Sequence, residues 1–240
     1  MPIRAAILAG LLLAVPAASA LDCVVLLHGL ARSSSSMKKM ATYLEDRYIV
    51  ANVGYPSRKK TIEQLAEATL SEGIQQCYAQ GLNADTHKIH FVGHSMGGIL
   101  VRFYLAHNEL ANKGRLVMLG PPNKGSHVVD SLGKFPGVNL LFDIVNGPAG
   151  KQLGIGDHSL PLQLPEPDYE VGIIAGTRSI NLFLSLFLPN PDDGKVSVEN
   201  TKLANMKDFI TVPVSHPFLM KNKKVLPQVE SFLRTGLFQK

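Results

Sequence analysis

The run Lys88-Ile-His-Phe-Val-Gly-His-Ser-Met-Gly-Gly-Ile-Leu-Val-Arg102 constrains this chain more than any other. Ile89, Phe91 and Val92 read as a buried strand; Ile99, Leu100, Val101, Phe103, Tyr104 and Leu105 read as a largely buried helix. Between them Gly93-His94-Ser95-Met96-Gly97 leaves room for one sharp turn. A serine at the tip of such a turn has strained backbone angles. Gly93, two before it, and Gly97, two after, keep side chains out of the way so that strand and helix can approach. Gly98 lets the helix start lie close to the sheet. Ser95 Oγ would then stand above the sheet at a helix N-terminus, whose dipole favours developing negative charge. The alternative is an ordinary serine in a glycine-rich turn. Such a serine would need none of the partners that the chemistry of a nucleophile demands.

The strand–helix alternation extends to both sides. Leu21–Leu27 is a buried strand, followed by His28-Gly29-Leu30-Ala31-Arg32 and a serine cluster, Ser33–Ser36, that can cap a helix from about Met37 to Asp46. Tyr48–Val53 is a second strand. Thr61 with Gln64 three later resembles a capping box for a helix running to about Gln80. Lys88–Val92 is the third strand and the helix from Met96 ends near His107. Arg115–Leu119, Tyr169–Ala175 and Asp208–Val214 are three more strands, and Phe218–Leu233 a last helix. Repeated β-α-β units predict an α/β fold: a mainly parallel sheet of about six strands with helices on both faces. The stretch 127–167 breaks the rhythm with glycines, prolines and apolar clusters. A structureless loop of that length is uncommon, so it is expected to form a helical cap or lid, or else a structural insertion away from the site. Ile180–Leu188 is a core helix or one wall of an acyl pocket.

Composition narrows the class. A 240-residue chain with 45% hydrophobic and 18% charged residues is globular and large enough for one substantial core. Its net charge of +5 is spread without a long basic block, which argues against a nucleic-acid partner. Residues 1–20 are set apart. Arg4 is a positive n-region, Ala5–Val15 an apolar h-region and Ala18-Ser19-Ala20 a cleavage signal. Export with cleavage after Ala20 is expected, to the periplasm or beyond, although an uncleaved anchor is the alternative. The two cysteines, Cys23 and Cys77, fit a disulfide in an exported chain, or two buried thiols. Both fall at the end of the sheet opposite the Ser95 turn.

A serine hydroxyl is a weak nucleophile near neutral pH and needs a base within hydrogen-bond reach. Imidazole suits the role because its ordinary pKa lies near working pH. Of eight histidines, His216 is the best base, since it follows the last strand and lies far along the chain from Ser95. His94 is expected to point away from the site. Asp192 and Asp193 compete to orient the imidazole, with Glu199 behind them; Asp193 sits in the tighter local pattern, Asp193-Gly194-Lys195-Val196. Ser95, Asp193, His216 is a chain order used for this chemistry. An oxyanion hole would take the backbone N–H groups of Met96 and Leu30. In parallel sheets ligands sit beyond the carboxyl ends of the strands, and His28, Ser95, Asp193 and His216 all fall there.

These motifs resemble those of α/β-hydrolases of the bacterial lipase and esterase kind. Leu26-Leu27-His28-Gly29-Leu30 resembles their oxyanion loop and Gly93-His94-Ser95-Met96-Gly97-Gly98 their nucleophile elbow. Asp192-Asp193-Gly194-Lys195-Val196 resembles the loop of the catalytic acid, matching Asp193, and Ser215-His216 the terminal histidine loop. Leu119–Ser126 resembles a further loop of the same group. The resemblance implies a minimal α/β-hydrolase acting on a small-molecule ester or lipid, with no cofactor and no metal. It also implies transient contact with a lipid surface; a monomer is the default expectation. A thioesterase, amidase or acyltransferase would use the same residues. A lipid-binding relative without catalysis is the reading from another class.

Overall fold

The computed structural model describes residues 21–127, 147–156, 159–180, 185–186 and 188–240. Six strands form one sheet: β1 (Cys23–Leu27), β2 (Ile49–Val53), β3 (Ile89–His94), β4 (Lys113–Leu119), β5 (Val171–Gly176) and β6 (Asp208–Val212). Their spatial order is β2-β1-β3-β4-β5-β6, and every neighbouring pair is parallel. The strands fall close to their expected bounds. Period-two burial explains why. On β1, Val24 and Leu26 face one core while Cys23, Val25 and Leu27 face the other.

Helices cover both faces. On one side lie α2 (Ile62–Ala79) and α3 (Met96–His107), whose Leu65, Leu70, Ile99 and Leu100 pack on Val25, Leu27 and Phe91. On the other lie α1 (Lys38–Leu44) and the C-terminal helix, with Met40, Leu44, Val229 and Phe232 against Val24, Leu26 and Val92. The capping box of α2 forms: Thr61 Oγ1 accepts from the Gln64 N–H and Gln64 Oε1 accepts from the Thr61 N–H. Two short helices, α4 (Leu160–Gln163) and α5 (Val198–Thr201), flank β5 in sequence, and α6 (Leu226–Thr235) closes the chain.

Two helices differ from expectation. The first begins as a 3-10 turn, Ser34–Met37, before α1, and Ser33 does not cap it with its side chain. Ser33 Oγ lies instead 2.7 Å from Ser35 Oγ. The helix expected over Phe218–Leu233 is split into a 3-10 turn, His216–Lys221, and α6. Asn222 causes the break. Its backbone is extended, and its side-chain oxygen accepts the Lys224 N–H at 2.9 Å, which competes with helical bonding.

The chain runs from β1 out to β2, returns past β1 to β3, and then moves steadily outward to β6. The direction reverses between β1 and β3. At such a switch point the loops leaving adjacent strands diverge to opposite faces and leave a crevice at their carboxyl ends. The loop after β1 carries His28-Gly29-Leu30, and the turn after β3 carries Ser95.

Much of the expected cap, 128–146, and most of the Ile180–Leu188 run lie outside the described residues. What is described of 127–167 is anchored to the body. Residues 147–151 are helical, and Ala149, Leu153 and Leu160 join the core beside α2. Gln152 accepts the Ile62 N–H at 2.7 Å and donates to the Glu63 carboxylate, so it fastens this segment to the first turn of α2.

Cys23 and Cys77 form a disulfide that ties the start of β1 to the last turn of α2, across a sequence separation of 54. A loop of this size loses about 4 kcal/mol of unfolded-state freedom on the chain-entropy account. Replacing both cysteines by alanine should therefore lower the unfolding free energy by roughly 3–4 kcal/mol. Urea unfolding of the variant against the oxidised parent measures this; equal midpoints would show that the bond adds nothing.

Candidate active site

The turn at Ser95 has the geometry its glycines require. Ser95 sits at φ 54° and ψ −123°, and Ala31 is the only other non-glycine described at positive φ. The conformation is held by two bonds: the Ser95 N–H donates to Leu119 O on β4 at 2.8 Å, and the Gly98 N–H donates to Ser95 O at 3.0 Å. A Cβ on Gly93 would stand 2.3 Å from the Gly98 backbone nitrogen, and one on Gly97 would stand 2.6 Å from Leu27 O. Neither backbone can yield, so only glycine fits. Met96 is the first residue of α3, and its N–H has no partner within the helix.

The loop after β1 lies directly against this turn. A Cβ on Gly29 would be 3.1 Å from Ser95 Cβ. A buried tyrosine that the sequence does not advertise fixes the loop. Tyr55, on the segment after β2, stacks on the His28 ring at 4.0 Å and its hydroxyl donates to His28 O. The Tyr55 N–H points at His28 Nε2, at 3.3 Å, and His28 Nδ1 lies 2.8 Å from Gly29 O. Only the neutral tautomer with its proton on Nδ1 satisfies both contacts. Leu30 follows, half-buried, and its N–H makes no hydrogen bond among the described residues.

His216 and Asp193 meet in the crevice. His216 Nδ1 is 2.7 Å from Asp193 Oδ2, both residues being buried, and the His216 N–H donates to Asp193 O at 3.0 Å. The other carboxylate oxygen, Asp193 Oδ1, accepts from the backbone N–H groups of Lys195 and Val196 at 3.0 and 2.9 Å. Asp192 faces elsewhere: its Oδ1 accepts from Ser185 Oγ at 2.8 Å and the Gly194 N–H at 2.7 Å. Asp192 thus braces the loop and Asp193 holds the imidazole. Glu199 is outside the site, paired with Lys124 and Lys202, which hold its pKa down at about 2. Among the described residues Ser95 Oγ makes no hydrogen bond. Serine and imidazole are joined through shared neighbours, since Gly29 abuts Ser95 and His94, and His94 in turn abuts His216.

His94 corrects the expectation that it points away. Its ring lies 4.8 Å from that of His216, and its Nε2 donates to His216 O at 3.0 Å. An odd-numbered step before the turn would aim it outward on a flat strand. The tight turn instead swings it beneath the terminal loop. Arg102 is a second residue that sequence alone would leave on a surface. It is buried on α3 and donates to Asn123 Oδ1 at 3.0 Å and to the carbonyls of Leu164 and Pro165. Asn123 donates onward to Thr201 O at 2.7 Å. These bonds lock the loop after β4 to the segments around β5, behind Ser95.

Fold and site together define an α/β-hydrolase. More narrowly, the chain belongs to the palmitoyl protein thioesterase family, whose model matches residues 23–152. Solved structures give the same architecture. Bacillus licheniformis lipase BlEst2 in mature form has a TM-score of 0.71 at 22% identity, over 90% of this chain and 93% of the lipase. Phospholipase PlaB from Legionella pneumophila has a TM-score of 0.59 at 19% identity, over 75% of this chain and 45% of the phospholipase. The lin2722 product of Listeria innocua has 0.57 at 19%, over 92% and 96%. At these identities the likeness is one of fold. A comparison with curated proteins finds no match.

The buried histidines set a pH dependence. Burial lowers the pKa of His28 and His90, and burial together with the nearby His216 lowers that of His94 well below its ordinary value. In the unfolded chain all three take up protons near pH 6.5. The unfolded state then binds more protons than the native state, so stability is full above pH 6.5 and is lost as pH falls below it. Carboxylates with lowered pKa values, such as Glu63 and Glu170, act only below about pH 4.5. Urea unfolding between pH 7.5 and 5 should show a steady loss of stability. A flat profile would contradict the neutral, buried histidines.

The two aspartates separate cleanly by substitution. Asp193→Asn keeps the shape but spoils the imidazole's tautomer, which in a serine protease costs about 10⁴ in kcat. Asp192→Ala should cost roughly 1–3 kcal/mol of stability by orphaning its buried donors, with a much smaller effect on turnover. Steady-state kinetics and unfolding of both variants test this; a larger kcat loss in the Asp192 variant would reverse the assignment.

Proposed function

We propose that the protein is a serine hydrolase of acyl esters and thioesters that works through an acyl-enzyme. The observation that carries this reading is the Asp193–His216 pair beside a serine held at positive φ. Ser95 Oγ attacks the acyl carbonyl while His216 Nε2 takes its proton. Asp193, on Nδ1, stabilises the imidazolium that forms. The N–H groups of Leu30 and Met96 receive the oxyanion. The C–O or C–S bond then breaks, and His216 returns the proton to the leaving group. A water deprotonated by the same imidazole attacks the acyl-Ser95 carbonyl, releases the carboxylic acid and restores the serine. No step calls for a metal or cofactor.

The oxygen ester is the leading substrate, as the triad geometry and the lipase-like fold suggest. The family match specifically favours the thioester as a second reading. The two differ in their need for acid catalysis: a thiolate leaves with little help from a proton, since thiols ionise near pH 8.5, whereas an alkoxide does not. The apolar run within residues 1–20 and the disulfide support a site of action outside the cytoplasm.

The test is a chain-length series of p-nitrophenyl esters, acetyl to palmitoyl, beside alkyl acylthioesters of the same lengths. Turnover should depend on chain length and fall by about a thousandfold or more in Ser95→Ala. Equal rates in parent and variant, or none in either, would refute the hydrolase reading. Faster kcat/KM on the thioester at equal acyl length would select the second reading.

A further inference from the structure

Beside the triad lies a cleft of about 430 Å³ with a charge of one sign. One wall is the 3-10 turn before α1 with the start of that helix, contributing Arg32, Lys38 and Lys39; the other is the turn that follows His216, contributing Pro217, Met220 and Lys221. Among the described residues four cations line it and no carboxylate does. Among the described residues none of the four forms an ion pair, whereas Arg47, Lys113, Arg115 and Lys124 each meet a carboxylate elsewhere on the surface. Lys221 Nζ is held 4.8 Å over the Phe218 ring. Thr42 adds a hydroxyl to the first wall, whereas Ser36 Oγ donates to Ser33 O and Ser35 Oγ is paired with Ser33 Oγ.

The cleft begins where the active site ends. Arg32 is two residues beyond Leu30, and Pro217 is the neighbour of His216. The Arg32 charge is felt at both His94 and Lys195, so its field reaches the crevice and the loop of the catalytic acid. Several cations around one cleft suit an anion with several oxygens and more than one charge. A carboxylate would use one or two of them. A volume of this size holds a phosphate together with part of the group that bears it.

We propose that this cleft receives the phosphate group of an acylated substrate whose carbonyl lies on Ser95. The inference rests on the hydrolase reading above and adds a substrate class to it: phosphate-bearing acyl esters or thioesters, cleaved in preference to neutral ones. His216 protonates the leaving group, and the cleft's second wall continues from His216. The phosphate therefore belongs to the alcohol or thiol that departs.

The test compares the parent with Lys38→Gln/Lys39→Gln/Lys221→Gln, all solvent-exposed positions, with circular-dichroism melting to establish that the variant is folded. One substrate pair is dihexanoyl phosphatidic acid against dihexanoylglycerol, both monomeric. The other is S-hexanoyl phosphopantetheine against S-hexanoyl pantetheine. The ratio of kcat/KM, phosphate-bearing over neutral, should exceed one in the parent and fall about tenfold in the variant, through KM. It should also fall with added salt, and inorganic phosphate should compete in the parent but only weakly in the variant. A drop confined to the lipid pair assigns a lipid headgroup; one confined to the thioester pair assigns a soluble phosphate carrier. Unchanged ratios with both pairs hydrolysed would overturn the cleft and leave the hydrolase standing. So would unchanged ratios with lost binding to phosphatidylglycerol vesicles, which would make the lysines a membrane contact. No turnover of any substrate, including p-nitrophenyl esters, would remove the hydrolase reading itself.

Discussion

Ser95 is held in a backbone conformation that a side chain rarely adopts, and the rest of the structure is arranged to keep it there. Such a conformation costs on the order of 1–3 kcal/mol. Two hydrogen bonds and the close approach of β3 to α3 across Gly93 and Gly97 offset it. One consequence is positional. The hydroxyl stands at the carboxyl end of the sheet, next to the unpaired N–H of Met96. The other concerns the loop after β1, which lies against the same turn, a Cβ on Gly29 standing 3.1 Å from Ser95 Cβ. Steric closure at one residue therefore dictates which two strands must be neighbours, and β1 beside β3 is the switch point of the sheet.

The support beneath the site is polar but uncharged. His28 and His94 are fully enclosed, and their lowered pKa values keep them neutral as hydrogen-bonding scaffolds. Tyr55 is likewise buried, and burial raises its pKa, so its hydroxyl stays a donor to His28 O. A protonated imidazole at His94 would set a cation beside the His216 ring, 4.8 Å away. Neutral scaffolding thus leaves Asp193 as the charge that meets the imidazolium. Arg102 is the exception. It is buried and, among the described residues, donates to carbonyl and amide oxygens and not to a carboxylate.

Most of what could be read from the sequence has a local cause; the Cys23–Cys77 pair, 54 residues apart, follows instead from an even cysteine count in a chain expected to be exported. The strands follow from period-two burial, the elbow from glycine spacing, and the α2 cap from Thr61 and Gln64. Asp193 and His216 were legible because strand ends and chain order limit where partners can be. The contacts that escaped join residues far apart in the chain. His94 reaches His216 across 122 residues and Tyr55 reaches His28 across 27; Arg102 finds Leu164 across 62. None has a periodicity to betray it, and an arginine amid Ile99, Leu100 and Val101 reads as the polar edge of a helix. The split of the last helix was local but weak. A single Asn222 bonding Lys224 outweighs the propensity of its neighbours.

The imidazole of His216 is restrained from three directions. Asp193 holds its Nδ1, Asp193 O holds its backbone N–H, and His94 holds its carbonyl. Its position along the crevice is therefore fixed, and the remaining freedom is rotation of the ring about the Asp193 contact. Nε2 is the ring nitrogen that the Asp193 contact leaves open, and among the described residues the Ser95 hydroxyl makes no hydrogen bond. The same restraint couples the base to its surroundings. Any ligand pressing on the 3-10 turn from Pro217 to Lys221 acts on a segment whose first residue is His216 itself.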